Sequence, residues 1–394
     1  MKQKTRLLIA GGGYADIPLI EAARKLGFMV ITTGNRPADL GHQHADAYHM
    51  ADFSSPHAML AIASELRIDA ICPCCNDFSA LSCAFVAEQM GLPGHDPFEV
   101  SAILHHKDRY RAFAAENGIP TPRAISASNE EDAFRAGREI ALPLIIKPVD
   151  LTGGKGIRVV HSYPELIPAI KNAFQISRAK RIVIEQFLHG TRHGFSAFIQ
   201  QGHVAFDFAD NEHYYLNPHL VAAASTPATV PDEVRQELRR QAEKISGLLR
   251  LKDGIFHVQY ILTPDGPVII EICRRGPGDL YIRLVEHATG VDYARWIVSA
   301  AAGIPVSGIK QVVPRMSLVR HCAMASRKGH LNSVTIDPGI RNRIIDQMMW
   351  WKPGEIIEDE MTHKFGIVFV KFDSQDEMLA TADHLHEMIH ADIA

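Results

Sequence analysis

Strand and helix signals alternate through the first hundred residues, and this alternation constrains the fold more than any other feature of the chain. Residues 6–10 form an apolar stretch typical of a buried strand, residues 16–26 have the pattern of a helix that Gly27 stops, and residues 28–32 indicate a second strand. A βαβ unit of this kind implies parallel strands with a crossover helix. The sequence therefore predicts a doubly wound parallel α/β domain at the start of the chain.

This first domain is predicted to span residues 1–104. Residues 69–72 indicate a further short strand, and residues 78–90 a helix that ends at Gly91. A helix over 107–117 then leads into Gly118-Ile119-Pro120-Thr121-Pro122, where two prolines impose an extended connector. A new structural unit is expected to begin at that connector.

The middle of the chain has the pattern of a second domain over 105–310, with a small lid subdomain at about 118–188. A long amphipathic helix is predicted over 234–249, where it would cover a sheet. Short strands and a closing helix over 375–389 predict a C-terminal α+β part at 311–394. The strands predicted in the second domain are 144–147, 157–160, 181–187, 195–200, 203–208, 258–262 and 268–272.

Composition excludes several classes of protein. With 394 residues, 46% hydrophobic and 22% charged, the chain matches ordinary globular proteins of two or three domains. Its 41 Lys and Arg against 45 Asp and Glu give a net charge of −4, so nucleic acid and membrane surfaces are not expected partners. Six cysteines in so long a chain do not form a disulfide framework, and no secretory or spanning segment is evident. We expect a cytoplasmic protein.

Gly11-Gly12-Gly13 follows the first strand, where a dinucleotide site would place glycines. NAD binding also calls for a carboxylate at the end of the second strand, and residues 32–36 contain none. A tight strand-to-helix turn without nucleotide is the better interpretation of these glycines.

A second glycine-rich segment is more informative. Lys147-Pro148 ends a predicted strand, and Gly153-Gly154-Lys155-Gly156, here called the glycine loop, precedes the next. Glycines expose backbone N–H groups that can fold over an anion, and two lysines neutralise its charge from different directions. Taken alone, the segment is equally consistent with phosphate binding and with a surface hairpin that carries solvated lysines.

Two later groups fit a nucleotide and a metal. Glu185 with the apolar residues after it could hold adenine between hydrophobic walls, with backbone groups at the base edge. Gln259 and Glu271 lie on predicted hairpin partners and can face one side of a sheet, where their oxygens suit magnesium. Arg275 lies four residues beyond Glu271 and could hold phosphate oxygens bidentately.

The order of these motifs resembles the ATP-grasp superfamily over essentially the whole chain. The segments 106–108, 118–122 and 276–280 look like its carboxylate-amine ligase and carbamoyl phosphate synthetase-like branches. The resemblance implies a Rossmann-like pre-ATP-grasp domain followed by a two-subdomain ATP-grasp fold, with ATP and Mg²⁺ as cofactors. It implies these roles: phosphate contacts by Lys107, Lys147, Gly153, Gly154, Lys155 and Gly156; adenine contacts by Glu185, Phe187 and Leu188; magnesium contacts by Gln259 and Glu271; catalysis by Lys147 and Arg275.

Two positions differ from the family pattern. Arg192 stands where the family has a ribose-binding glutamate, so the nucleotide contact there would come from a guanidinium. Cys273 replaces the usual asparagine beside Glu271, and sulfur is a poor ligand for hard magnesium. The metal would then rest on two protein ligands with water and phosphate, or the second metal site would be weak.

The resemblance implies an ATP-dependent ligase that activates a carboxylate as an acyl phosphate and couples it to an amine or similar nucleophile, releasing ADP and phosphate. Its partners would be small-molecule carboxylates and amines, with a homodimer possible. One alternative is a purine-pathway carboxylase or formyltransferase of the same superfamily. Another is a degenerate ATP-binding module without turnover, which Arg192 and Cys273 motivate. The acid, the nucleophile and the pathway are not encoded in any transferable motif.

Overall fold

The computed structural model describes residues 4–151 and 153–394, and it has the predicted α/β architecture. The first domain is a four-stranded parallel sheet in the order β3-β2-β1-β4 with helices packed on it. Its elements, with the two helices that lead out of it, are β1 (Arg6–Ala10), α1 (Ile17–Lys25), β2 (Met29–Gly34), β3 (Ala47–Met50), α2 (Pro56–Leu66), β4 (Ala70–Pro73), α3 (Asp77–Met90), α4 (Phe98–His105) and α5 (Lys107–Glu116).

The glycine triplet after β1 provides close packing. A Cβ on Gly12 would lie 2.2 Å from the His42 ring, and one on Gly11 would lie 2.4 Å from Cys74. Asp16 accepts a hydrogen bond from the Gly13 amide at 2.8 Å, which closes the turn into α1. This geometry matches the tight turn predicted from the sequence.

The lid subdomain is an antiparallel sheet in the order β5-β8-β6-β7 with two helices on one face. Its apolar core joins α6 and α7 to the sheet through residues such as Ala133, Leu166 and Ile184. Its elements are β5 (Ala124–Ala127), α6 (Glu130–Glu139), β6 (Leu144–Pro148), β7 (Arg158–Val160), α7 (Tyr163–Ile176) and β8 (Ile182–Gln186).

The rest of the chain is organised by an eight-stranded sheet in the order β13-β12-β9-β10-β11-β14-β18-β16. Strands β14, β16 and β18 come from the predicted C-terminal part, so that part continues the central sheet across residue 310. The remaining elements are β9 (Thr191–Gln200), β10 (His203–Tyr214), β11 (Val221–Thr226), α8 (Asp232–Leu249), β12 (Gly254–Thr263), β13 (Gly266–Cys273), α9 (Tyr281–Thr289), α10 (Tyr293–Ala301), β14 (Ser317–Met324), β15 (Gly329–Ile336), α11 (Pro338–Arg341), β16 (Ile344–Met349), β17 (Glu355–Ile357), β18 (Lys364–Phe372), α12 (Gln375–Ala382) and β19 (Ile389–Ile393).

The closing helix predicted over 375–389 is wrong beyond Ala382. The chain there forms a short 3₁₀ turn, and β19 then pairs antiparallel with β15. Leu385, Ile389 and Ile393 are all buried in the C-terminal core, and their spacing of four imitates a helix period. Within the described residues, none of the helices combines the length and apolar character that crossing a bilayer requires.

Candidate active site

A cleft of about 330 Å³ lies between the lid sheet, the central sheet and the loop after β4. Two predicted residues, Lys155 and Gly156, do not line it, and the Lys155 side chain is exposed. The predicted residues that do line it are Lys107, Lys147, Gly153, Gly154, Glu185, Phe187, Leu188, Arg192, Gln259, Glu271 and Arg275. Eleven of the thirteen predicted site residues therefore surround one cleft.

Glu185 holds two cations on the lid side of the cleft. Its carboxylate is fully buried and lies 2.6 Å from Lys147 Nζ and 2.9 Å from Arg111 Nε. Burial alone raises the pKa of Glu185, but Arg111 and Lys147 outweigh burial and hold that pKa below its usual value. Burial lowers the pKa of Lys147. Because Glu185 is occupied by cations here, its predicted contact with adenine stays a prediction.

Arg111 was not among the predicted site residues. It lies in α5, is buried, and donates to the Ile270 carbonyl at 2.7 Å, so it ties the lid to the central sheet. The sequence signal was available but weak: Arg111 follows Lys107 by four residues, which places both on one face of the helix.

Lys107 contacts both Glu271 on the central sheet and the backbone just before the glycine loop. Its Nζ donates to Glu271 Oε1 at 3.0 Å and to the Leu151 carbonyl at 3.3 Å. Burial lowers the pKa of Lys107, but Glu271 more than compensates and raises that pKa above its usual value. Lys107 is therefore a charged donor positioned between lid and sheet, as a phosphate contact requires.

Gln259 and Glu271 are direct partners across β12 and β13, as the hairpin prediction required. Gln259 Nε2 donates to Glu212 Oε1 at 2.6 Å, and the Tyr214 hydroxyl donates to Glu212 Oε2 at 2.6 Å. Burial raises the pKa of Glu212, and the Glu271 charge adds to this effect. Four oxygen-bearing side chains, Gln259, Glu271, Glu212 and Tyr214, therefore line one part of the cleft.

Sequence reasoning missed Glu212 because it ended the strand too early. The predicted strand stopped at residue 208, whereas β10 continues to Tyr214. With the longer strand, Asp210, Glu212 and Tyr214 alternate and all line the cleft. The alternation of acidic residues in the segment 210–214 was the signal that could have found it.

The donor set suits a hard divalent cation. Glu271 and Gln259 offer oxygens on one sheet face, while Cys273 is buried and burial raises its pKa, which disfavours the thiolate. The described residues contain no group of three or more His, Cys, Asp or Glu side chains arranged to hold a metal by themselves. Phosphate and water oxygens would have to complete the coordination.

Arg275 is engaged by a carboxylate of the first domain. Its Nε and Nη2 lie 3.0 and 2.9 Å from the two oxygens of Asp77, and its Nη1 donates to the Gly276 carbonyl at 3.1 Å. Burial raises the pKa of Asp77, but Arg275 outweighs burial and holds that pKa well below its usual value. A phosphate would have to compete with Asp77 for this guanidinium, so the predicted catalytic role of Arg275 stays a prediction.

Arg192 lies at the outer rim beside His219. Its guanidinium donates to the Pro218 carbonyl and sits 4.4 Å from the centre of the Tyr214 ring. Burial, with the charges of Arg192 and Lys147, lowers the pKa of His219 to about 4. Gly154 has a φ of +73°, and a Cβ there would lie 2.8 Å from His219 Cβ, so only glycine lets the loop approach this wall.

The chain matches a known sequence family over its central half. The family model described as the carbamoyl-phosphate synthase L chain, ATP binding domain, covers residues 106–309. A formate-dependent phosphoribosylglycinamide formyltransferase from Burkholderia pseudomallei (strain 668) is 30% identical over 193 residues, which are 47% of this chain and 46% of the relative. The chain thus spans about half the length of the curated relatives it matches.

Solved structures share the fold over the whole chain. An L-amino acid ligase from Bacillus licheniformis superposes with a TM-score of 0.81 at 19% identity, covering 100% of both chains. The biotin carboxylase domain of the Hydrogenobacter thermophilus 2-oxoglutarate carboxylase, crystallised with MgADP and bicarbonate, gives a TM-score of 0.78 at 18% identity, covering 100% of this chain and 92% of that one. At these identities the likeness establishes the common fold.

Proposed function

The chain belongs to the ATP-grasp family of the carbamoyl-phosphate synthase L chain ATP-binding domain, and from this premise we propose that it is an ATP-dependent carboxylate-amine ligase. In the proposed reaction MgATP phosphorylates a carboxylate, an amine attacks the acyl phosphate, and ADP and phosphate leave. The observation that carries the proposal is the convergence of Lys107, Lys147, Gln259 and Glu271 on one cleft.

The nucleotide is proposed to lie between the lid and the central sheet. Apolar side chains from both walls would enclose the adenine ring, and Lys107 and Lys147 would hold the phosphates. The apolar lining consists of Ile145, Ile157, Phe187, Leu188, Ile261 and Ile270. Apolar side chains and two ammonium groups therefore line the same cleft, as the two halves of a nucleotide require.

Gln259 and Glu271 are the residues proposed to hold Mg²⁺. When bound, Mg²⁺ neutralises charge on the phosphates and orients the terminal one. Lys107 lies 3.0 Å from Glu271 in the structure, so nucleotide binding would draw Lys107 onto phosphate oxygens and free the carboxylate for the metal. In this proposal Lys107 therefore leaves Glu271 for the phosphates, and Mg²⁺ takes its place beside Glu271.

The protein's remaining task is to exclude water from the reacting groups. The glycine loop closes against the His219 wall, and an acyl phosphate held under it would be protected from hydrolysis until the amine arrives. The chain's own side chains supply position and charge, and no side-chain nucleophile takes part.

Release of ADP tests the proposal. Purified protein with MgATP is screened over carboxylic acids, each with and without a panel of amines, and ADP, AMP and phosphate are quantified. The proposal predicts ADP and phosphate in equal amounts, dependent on one acid. MgATP binding with no acid-dependent ADP release in any arm would instead favour the module without turnover.

A purine-pathway formyltransferase is the second candidate, favoured by the 30% identity to the formate-dependent phosphoribosylglycinamide formyltransferase. Formate as the acid and a ribonucleotide amine as the acceptor would then support turnover, and product analysis separates this from amide formation with larger acids.

A cytoplasmic location and a homodimer remain predictions, as do the domain limits 1–104, 105–310 and 311–394.

A further inference from the structure

One group of polar residues in the cleft comes from outside the lid and is here called the inner subsite. It is drawn from four parts of the chain: the loop after β4, the strand β10, the segment from the end of β13 to the start of α9, and the strand β14. None of the residues predicted to bind nucleotide or metal belongs to it. Its polar lining consists of Asn76, Asp210, Asp279, Tyr281 and Arg320.

Arg320 is a buried cation with unused hydrogen-bonding capacity. The residue is 2% exposed; its Nη1 lies 3.0 Å from the Cys322 sulfur and 3.7 Å from Asp279 Oδ2. Its Nε is buried and has no hydrogen-bond partner among residues 4–151 and 153–394. A thiol is a weak acceptor, and a buried guanidinium without strong acceptors is costly. Arg320 is therefore in an ion pair with Asp279 but has no anion within hydrogen-bonding distance.

Asp279 does not supply that anion. It accepts hydrogen bonds from Lys364 Nζ at 2.6 Å and from the Tyr14 hydroxyl at 2.7 Å. Asp279 and Leu280 both have left-handed backbones, with φ of +56° and +55°, which fix the carboxylate where it is. One carboxylate thus faces two cations, Lys364 and Arg320.

A carboxylate with a free oxygen belongs to the same subsite. Asp210 is 1% exposed, and among the described side chains the Tyr281 hydroxyl alone donates to it, through Oδ1. The side chain lies over Gly194, where a Cβ would be 2.5 Å from Oδ1 and 3.0 Å from Oδ2, so the glycine keeps this position open. The inner subsite therefore presents an acceptor as well as a cation.

Resting on the proposed ligase function, we infer that the inner subsite binds a zwitterionic α-amino acid, with its carboxylate on Arg320 and its ammonium group toward Asp210. A buried guanidinium that has only a thiol as hydrogen-bond acceptor suits a carboxylate, and a buried carboxylate with a free oxygen suits an ammonium. A ligand with only one of these charges would leave the other buried group without a partner, which is what makes a site discriminate between related ligands.

ADP release tests the inference with the protein-forming L-amino acids as probes. Each amino acid is compared with its deamino acid, for example L-alanine with propionate. We expect at least one amino acid to support turnover, and its deamino acid to be about a hundredfold poorer in kcat/KM. Equal turnover with the deamino acid overturns the inference.

Variants separate binding from structure. Arg320→Gln should raise the KM for that amino acid about a hundredfold and leave the KM for ATP within threefold, and Arg320→Lys should fall between. Lys364→Met is the matched control, because it removes a partner of Asp279 without lining the cleft. If Lys364→Met raises the amino acid KM as much as Arg320→Gln does, Arg320 is only structural.

The two proposals fail in different ways. Turnover with other carboxylic acids that is insensitive to Arg320→Lys and Arg320→Gln overturns the inner-subsite inference and leaves the ligase function standing. Absence of ADP release with every acid, while the protein is folded by circular dichroism, overturns the ligase function and the inference with it. If Arg320→Gln does not fold, Arg320→Lys carries the test.

Discussion

Replacing Glu185 with glutamine should destabilise the protein far more than replacing Lys147 with methionine. Glu185 is the shared anion of Lys147 and Arg111, at 2.6 and 2.9 Å, and all three side chains are at most 10% exposed. Glu185→Gln leaves two buried cations without a counter-charge, whereas Lys147→Met leaves the Arg111 pair intact. Breaking a buried pair by removing one partner costs about 3–5 kcal/mol.

That cost corresponds to more than a hundredfold in the unfolding equilibrium, at about 1.4 kcal/mol per factor of ten. Urea unfolding followed by tryptophan fluorescence and by circular dichroism measures it. For Lys147→Met we expect a small shift in midpoint together with loss of ADP release, because the lysine is proposed to contact phosphate. Equal midpoints for Glu185→Gln and wild type would refute the view that Glu185 neutralises both cations.

Three further predictions follow from the cleft and the core. Glu271→Ala should lower acid-dependent ADP release at least about a hundredfold, since a charged contact near the reacting phosphate is lost; near-normal turnover would remove Glu271 from the metal site. Its urea midpoint should fall less than that of Glu185→Gln, because Glu271 is 29% exposed and pairs with one cation, Lys107. Gly154→Ala should raise the KM for ATP strongly, because a Cβ there would lie 2.8 Å from His219 Cβ. Gly202→Ala is the control, since Gly202 has a similar positive φ but open space around it, and it should leave the KM unchanged. Equal effects of the two variants would show that only backbone strain matters. Burial, with the His386, Arg320 and His213 charges, lowers the pKa of His321 to about 3. The unfolded chain therefore takes up this proton first, and the free energy of unfolding falls as pH drops from about 6.5 toward 3. His321→Asn should flatten this pH dependence in urea titrations, and an unchanged slope would contradict the lowered pKa of His321.

Much of the fold could be predicted because local signals agree with it. The strand β1 was predicted at its exact limits, and β4 and the helices α3 and α8 within one or two residues, since glycines and apolar periodicity mark their ends. Gln259 and Glu271 were correctly predicted to be hairpin partners. The spacing of residues in a motif and the alternation of polar and apolar residues along a strand are local properties, so both can be read directly from the sequence.

The rest depended on contacts between distant segments. Nothing near Glu185 indicates that Arg111, from the helix α5, approaches it, and nothing near Arg275 indicates that Asp77 holds it. The C-terminal strands join the central sheet through pairings, such as β14 with β11, that no local pattern specifies. The closing helix was wrong because four-residue spacing also arises where a 3₁₀ turn leads into a buried strand.

Trapping of an acyl phosphate tests the central claim most directly. The protein is incubated with MgATP, the acid that supports turnover and hydroxylamine, with the amine withheld, and the products are separated by mass spectrometry and ³¹P NMR. The account predicts the hydroxamate of that acid in step with ADP and phosphate, and loss of both in Glu271→Ala. AMP and pyrophosphate in place of ADP and phosphate would show adenylation and contradict the ATP-grasp ligase reaction, even with ATP tightly bound.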